Sequence, residues 1–347
     1  MMGLEHVRNI QLLPDAEITA VTDHSAEIRE STRIMVGEGC KSYTNHRDLI
    51  ACGQVDALVI ATPNHTHFDL LFEIMDSGIP ILVEKPLATN ISDCNEILQN
   101  ISNKSSKVWV GMEYRYMPPV HRLRQEIEAD TVGNLKMFSI REHRYPLLNK
   151  GWNLTNSNTG GTMVEKCCHH LDLMCLVASA EPTQIYASGG RDVNHLTDTD
   201  KHNSSELIDN AYVIVNFDNG IRASLDLCLF SEGAYWQEIL SATGDRGRIE
   251  AFIPGPTRFN QNQEPRQGKI AIADRFSKTE RCKTIPVDIS LLAAGDHHGA
   301  TYYQHRKFVD MIRNDGTPDV SVQDGMRSVM MGLAAEESMR TGKVVEF

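Results

Sequence analysis

Three short stretches place chemically able residues where a ligand could meet them. In "VEKP" (83–86), Lys85 directly follows a run of apolar residues that reads as a buried strand. Lysine is seldom buried without a partner. At a strand end it can hydrogen-bond a substrate oxygen and, when partly desolvated, exchange a proton near neutral pH. The alternative is a Lys85–Glu84 pair at a solvated strand end, and the residues alone leave both open. "ATPNHTH" (61–67) closes a second apolar run, "VDALVIATP", and so lies at the same carboxyl edge as Lys85. Ligands of doubly wound sheets bind at that edge. Third, Gly3 opens a helix and Asp23 closes the next strand twenty residues later. A dinucleotide-binding βαβ unit puts its ribose-binding acid about 20 residues beyond the glycine loop. Gly3 then fits the third glycine of G-x-G-x-x-G, with Met1 and Met2 at the x positions. Asp23 would accept from the adenosine ribose hydroxyls, favouring NAD and leaving NADP as the alternative. Its other reading is a helix N-cap, a role for which Ser25 competes.

A fourth cluster, Cys167-Cys168-His169-His170, suggests a metal site. Consecutive helix residues point about 100° apart, so four in a row cannot converge on one ion. No metal is expected. The cysteines read as small buried hydrophobes, and His169 by itself reads as a satisfied core histidine.

The elements that must position these residues can be traced along the chain. "AEITAVTD", "VDALVIATP", "IPILVEKP" and "SKVWVGMEY" read as strands, and "SAEIRESTRIMV", "HTHFDLLFEIMDSG" and "SDCNEILQNIS" as the helices between them. Such alternation predicts a parallel sheet with helices on both faces. On this spacing the first strand of the unit is expected ahead of Met1. That strand is central in the usual order, so without it "EITAVTD" and "ALVIATP" would present facing unpaired backbone. After "RYMPPVHRLRQEIEAD" the texture changes to longer alternating strands: "NLKMFSIREHRY", "NAYVIVNFDNGIRASLDLCLF" and "WQEILSATGDRGRIEAF". "FDNG" (217–220) is a strong hairpin signal. One helix, "GGTMVEKCCHHLDLMCLVAS", interrupts this half, and two helices end it. The expectation is therefore an α/β nucleotide-binding domain over 1–117 and an α+β domain with a large, open, mostly antiparallel sheet over 118–347.

Bulk properties restrict the partners. A net charge of −12 over 347 residues argues against nucleic acid and anionic membranes, both of which need basic surface. No apolar run approaches the ~20 residues of a membrane span. The first twenty residues lack a signal-peptide core. The eight scattered cysteines, with no CxxC, fit reduced thiols in a cytosolic enzyme.

Taken together, "MMGLEH", "DALVIATPNHTHFDL", "VEKPLA" and "GGTMVEKCCHHLDLM" resemble the Gfo/Idh/MocA family over essentially the whole chain. The resemblance implies a Rossmann domain, a second domain with a large open sheet, and a catalytic lysine, here Lys85. It also implies a second catalytic element after a Gly-Gly pair: an aspartate, three residues, then a histidine. Gly160-Gly161 here lead to Glu165 and His169, with Glu in place of Asp. An i,i+4 pair on one helix would share a face, letting Glu165 orient His169, with Asp172 near the same face. Thr62, Pro63, Asn64, His67, Glu84 and Lys85 are expected to line the cofactor, with Gly3 and Asp23. Arg115 and the polar loop "NKGWNLTNSNTGG", through Trp152 and Asn153, are candidate substrate contacts. His297 and His298 read equally as sheet-edge residues or substrate contacts.

The expected function is NAD(P)-dependent hydride transfer between a nicotinamide and a secondary alcohol or ketone of a sugar or cyclitol. The expected assembly is a homo-oligomer formed through the C-terminal sheet. A non-catalytic sensor or scaffold of the same fold, and a lyase or hydrolase using NAD transiently, are the alternatives.

Overall fold

The computed structural model of the chain describes residues 2–196, 205–260 and 262–347; Met1 lies outside them. The first half holds helices α1 (Met2–Ile10), α2 (Ala26–Val36), α3 (His46–Ala51), α4 (His67–Ile74), α5 (Ile91–Ile101) and α6 (Pro118–Glu128). Between them run strands β1 (Ala20–Thr22), β2 (Lys41–Tyr43), β3 (Leu58–Ile60), β4 (Ile81–Glu84) and β5 (Val108–Gly111). Local chemistry sets the boundaries. Ser25 caps α2 by accepting from the Ile28 N–H at 3.3 Å, so the capping role falls to Ser25 and leaves Asp23 at the end of the strand. Asn90 caps α5 in the same way, accepting from Asp93 N.

The parallel strands form two separate pieces. β1 pairs with β2, and β3, β4 and β5 pair in that order. No described strand joins β1 to β3, so both keep a free edge. The expected burial cost is relieved by solvent, since Val59 in β3 is 36% exposed and β1 is only partly covered. β4 and β5, in contrast, are buried along their whole length. Each buried Ile, Leu or Val there contributes about 1.5–3 kcal/mol.

The second half begins with β6 (Leu135–His143), then short helices α7 (Asn156–Thr159) and α8 (Thr162–Glu165), and α9 (Cys168–Ala178). Next come β7 (Pro182–Gly190), β8 (Asn210–Phe217), β9 (Arg222–Cys228), β10 (Trp236–Gly244), β11 (Gly247–Pro254), β12 (Gly268–Asp274) and β13 (Glu280–Ile285). Helices α10 (Ile289–Ala294), α11 (Ala300–Arg313) and α12 (Val322–Thr341) and strand β14 (Val345–Glu346) close the chain. The sheet order is β13-β12-β11-β10-β6-β9-β8-β7-β14. It is mixed: every pair is antiparallel except β6 with β9. The 217–220 turn forms the β8–β9 hairpin, with Gly220 at φ 81°.

Helices α9 and α12 cover one face of this sheet. Two glycines let α12 pass closely between the halves: a Cβ on Gly325 would come within 2.9 Å of Val110, and one on Gly332 within 2.9 Å of the Met163 carbonyl oxygen. A buried ion pair completes the join. Arg115, in the turn after β5, donates through Nε to Asp172 Oδ2 of α9 at 2.6 Å and through NH1 to the Asp319 carbonyl at 2.9 Å. Breaking such a pair on one side strands a buried charge. Arg115→Met should therefore destabilise the protein by about 3–5 kcal/mol. Arg115→Met with Asp172→Leu should recover most of that loss, as read by urea unfolding.

Candidate active site

Three strand ends of the first half deliver the site. Asn64 follows β3, Lys85 follows β4 and Glu113 follows β5, and the start of α9 faces them from the second half. The single helix expected over residues 160–179 is broken between Glu165 and Cys168. The i,i+4 argument therefore does not hold, because Glu165 and His169 belong to different helices. With the ladder interrupted, the Glu165 carbonyl oxygen accepts from Lys85 Nζ at 2.8 Å. The Glu165 carboxylate accepts from Asn64 Nδ2 and lies 3.8 Å from Lys150 Nζ. Glu165 thus ties the two halves together at Asn64 and Lys85.

His169 is held by other groups. Its ring stacks on Tyr114, with centroids 4.1 Å apart and planes 6° from parallel. Its Nε2 lies 3.5 Å from Glu113 Oε1, and its buried Nδ1 has no partner among the described residues. Burial, reinforced by the Lys85 charge, holds the ring well below the usual histidine range, so it is neutral near pH 7. Lys85 is the reverse case. Burial would lower its ammonium, but the neighbouring carboxylates, Glu165 foremost with Glu113 and Glu84, outweigh that and hold it above the usual lysine range. It is a fixed cation, which suits it to stabilise a developing oxyanion rather than to exchange protons.

Glu113 was not singled out from the sequence, although it obeys the rule that located Asn64 and Lys85: a polar residue just beyond an apolar strand at the carboxyl edge. Both its oxygens are buried without a hydrogen-bond partner among the described residues. Burial, with the Glu84 charge, pushes it up to about 7. The second nitrogen-bearing neighbour is His297, whose Nε2 is also 3.5 Å from Glu113 Oε1. His297 Nδ1 in turn lies 2.7 Å from Glu5 Oε1, which also accepts from Thr301 Oγ1 at 2.9 Å. Beside them, His6 Nε2 lies 3.0 Å from Glu84 Oε1 and His6 Nδ1 lies 2.8 Å from His305 Nε2. These bonds fasten α1 to β4 and α11. The legible signal was the Glu5-His6 pair inside an otherwise apolar-periodic helix.

The Glu5–His297 pair gives the fold a pH signature. Burial would raise Glu5, but His297 carries it down to about 2; burial would lower His297, but Glu5 and Glu113 carry it up to about 9. A depressed carboxylate stabilises above its unfolded value and loses that contribution as pH falls; a raised histidine stabilises below its unfolded value and loses that contribution as pH rises. The stability gap between wild type and His297→Gln should therefore be widest near pH 4.5–6.5 and shrink as pH climbs through about 9, followed by urea midpoints. A gap that grows above pH 7 contradicts this assignment.

The remaining sequence candidates sit as follows. Asp23 closes β1, its carboxylate accepting from Ser25 N at 2.8 Å. Thr62 is exposed at the end of β3, Pro63 follows half-buried, and the Thr66 hydroxyl donates to Thr62 Oγ1 at 2.8 Å. His67 is fully buried, with ring nitrogens 2.7 Å from the Pro86 carbonyl and 3.0 Å from the Thr62 carbonyl, so it braces the two loops against each other. Glu84 is buried against His6. Asn153 is buried and shapes its own loop, accepting from Lys150 N at 2.8 Å and donating to the Leu148 carbonyl at 3.1 Å. Trp152 is half-buried, under Lys150 and 6.3 Å from the His65 ring. Arg115 and Asp172 serve each other in the ion pair above, so Asp172 does not support His169. His298 is buried without a partner for its Nε2.

The arrangement fits a dinucleotide. A Cβ on Gly3 would meet nothing within 4 Å, so no neighbouring group among the described residues demands the glycine. Asp23 follows the carboxyl end of β1, and Thr62-Pro63-Asn64 follow that of β3. At its reactive end the orphaned polar atoms of Glu113 and His169 stand near the Lys85 charge.

Comparison with known proteins identifies the family and the fold. The profile of the oxidoreductase family's NAD-binding Rossmann fold matches residues 1–112, and that of its C-terminal alpha/beta domain matches residues 124–347. The rhizopine catabolism protein MocA of Rhizobium meliloti is 31% identical over 185 residues, 53% of this chain and 56% of that protein. Myo-inositol 2-dehydrogenase of Thermotoga maritima is 23% identical over 99% of this chain and 95% of its own. A levoglucosan dehydrogenase solved with NADH and levoglucosan superposes with a TM-score of 0.81 at 18% identity, covering 100% of this chain and 96% of that one. By both of its domains, the chain belongs to the Gfo/Idh/MocA oxidoreductase family.

Proposed function

We propose that this protein is an NAD-dependent dehydrogenase of a polyhydroxylated secondary alcohol, a sugar or cyclitol, with residues 1–117 holding the cofactor and 118–347 the substrate. The observation that carries the reading is that Lys85, at the end of β4, is tied to the Glu165 carbonyl just ahead of α9, so that its charge acts on the His169 ring stacked against Tyr114. A nicotinamide, when bound, supplies the hydride acceptor. His169 Nδ1 takes the hydroxyl proton as the carbon loses its hydride, and Lys85 Nζ stabilises the oxygen as it becomes a carbonyl. Glu113 holds the far side of the His169 ring and is a positioning residue. Asp23 at the ribose favours NAD over NADP.

Fluorescence titration with NADH and NADPH, followed by absorbance assays with an inositol and sugar panel, tests the reading. NADH binding with net NADH formation is expected. Turnover without net NADH would indicate a lyase or hydrolase, and absence of cofactor binding a sensor; either result rejects it.

We also propose that a second copy covers the open face of the large sheet. Tyr212 (68% exposed) and Ile214 (51% exposed) stand there beside Tyr186, which pairs with Ile214 across β7 and β8. Large contiguous apolar surface of this kind marks an interface. Light scattering should give an oligomer that Tyr212→Lys with Ile214→Lys dissociates.

A further inference from the structure

Beyond the Lys85–His169 edge lies a cavity of about 190 Å³, between the ends of β6 and β10 and the loop after β11. Its walls carry two guanidinium groups, those of Arg144 and Arg266, with Tyr145, Gln237 and Asn260 as uncharged hydrogen-bonding neighbours. His143 also lines it, already engaged with Asp226 at 3.0 Å. The one carboxylate among the lining residues is Glu232, which is exposed at the rim.

The local charge does not balance. Arg144 NH1 donates to Glu142 Oε1 at 3.2 Å, but Lys166 Nζ lies 2.9 Å from the same oxygen and His170 Nε2 lies 2.8 Å from Oε2. One carboxylate is thus shared among three basic groups. Glu238 next to it is raised by burial and by the Glu142 charge, which favours its neutral form. The buried Arg144 Nε has no acceptor among the described residues. Arg266 has no carboxylate in ion-pair reach among the described residues; it donates to Asn260 Oδ1 and stacks 4.2 Å from the Tyr235 ring centroid. Arg144 is likewise braced 4.2 Å from the Tyr145 ring. Two planar forks held flat by aromatic rings, with donors to spare, suit a planar anion.

A chain of contacts joins this cavity to the reacting centre. Glu142 holds Lys166, Lys166 donates to the Tyr114 hydroxyl, and Tyr114 stacks on His169. We propose that the alcohol oxidised at Lys85 and His169 carries a carboxylate, gripped in this cavity by Arg144 and Arg266: a polyhydroxy acid or uronate rather than a neutral cyclitol. The inference rests on the dehydrogenase reading above. A phosphate monoester is the less suitable anion, because Glu142 already takes part of the Arg144 charge and Glu232 stands at the rim against a dianion.

Calorimetric titration of the full chain with D-gluconate, D-glucuronate, D-glucitol, D-glucose and glucose 6-phosphate reads the site without needing turnover. At least one acid should bind tenfold or more tighter than its neutral counterpart and tighter than the phosphate. Arg266→Gln should remove most of that preference; because Arg266 sits on a surface loop, it keeps the test usable if Arg144→Gln fails to fold. Neutral compounds or the phosphate binding as well as the acids, or a preference untouched in Arg266→Gln, overturns the proposal. NADH formation from neutral polyols without any acid preference rejects the carboxylate and leaves the dehydrogenase standing. Acid binding without NADH formation from any compound rejects the hydride reading and leaves the anion site standing.

Discussion

Lys85→Met should lower kcat by about a thousandfold, within the range for loss of a positioned acid–base or oxyanion group. That is about 4 kcal/mol of transition-state stabilisation. The fold should lose far less. The substitution removes one donor from the Glu165 carbonyl oxygen, a bond worth about 1 kcal/mol. The two readouts therefore separate chemistry from folding: single-turnover absorbance collapses while the urea midpoint barely moves. Lys85→Arg should not rescue, since a guanidinium fork cannot place one donor where a compact ammonium did. Because Glu165 and its neighbours keep Lys85 charged, the wild-type rate should show no ionisation of this lysine around neutrality. A Lys85→Met enzyme retaining a tenth of wild-type turnover would remove the residue from the mechanism.

Glu113→Gln should produce the second large effect and a distinctive pH profile. Glu113 ionises near 7, and its carboxylate, which can only accept, holds the Nε2–H tautomer of His169 and leaves Nδ1 free as the base, whereas the neutral acid or an amide can also donate. The wild-type rate should therefore rise with pH through about 7 and then level off. In Glu113→Gln that limb should vanish and kcat should fall roughly a hundredfold, the low end for acid–base groups. KM should change little, because the carboxylate touches the imidazole and not the substrate. Nitrogen NMR of the labelled ring would report the tautomer directly. An unchanged pH limb in the variant rejects the positioning role, whereas a purely structural role would shift stability and leave the limb in place.

Glu165 shows where reasoning along the chain stops. Four-residue spacing from His169 is a statement about an unbroken helix, and the chain breaks that helix two residues after Glu165. The break follows from contacts with distant residues: Lys85 draws on the freed carbonyl and Asn64 on the carboxylate. Arg115 and Asp172 show the same limit. Each looked like a site residue by position, but burial obliges an arginine and an aspartate to find partners, and they found each other.

What the linear order determined is the part governed by short-range periodicity and by strand ends. Apolar runs closed by Asn64 and Lys85 specified parallel strands and put both residues at one carboxyl edge. The change to alternating strands marked the second half, and "FDNG" its hairpin. The tertiary structure alone decided which polar groups meet. The carboxylate facing His169 comes from Glu113, 56 positions upstream, and the histidine facing Glu5 comes from near the other end of the chain. Such pairings are set by packing of whole elements and by the need to satisfy buried charge, and neither leaves a local pattern to read.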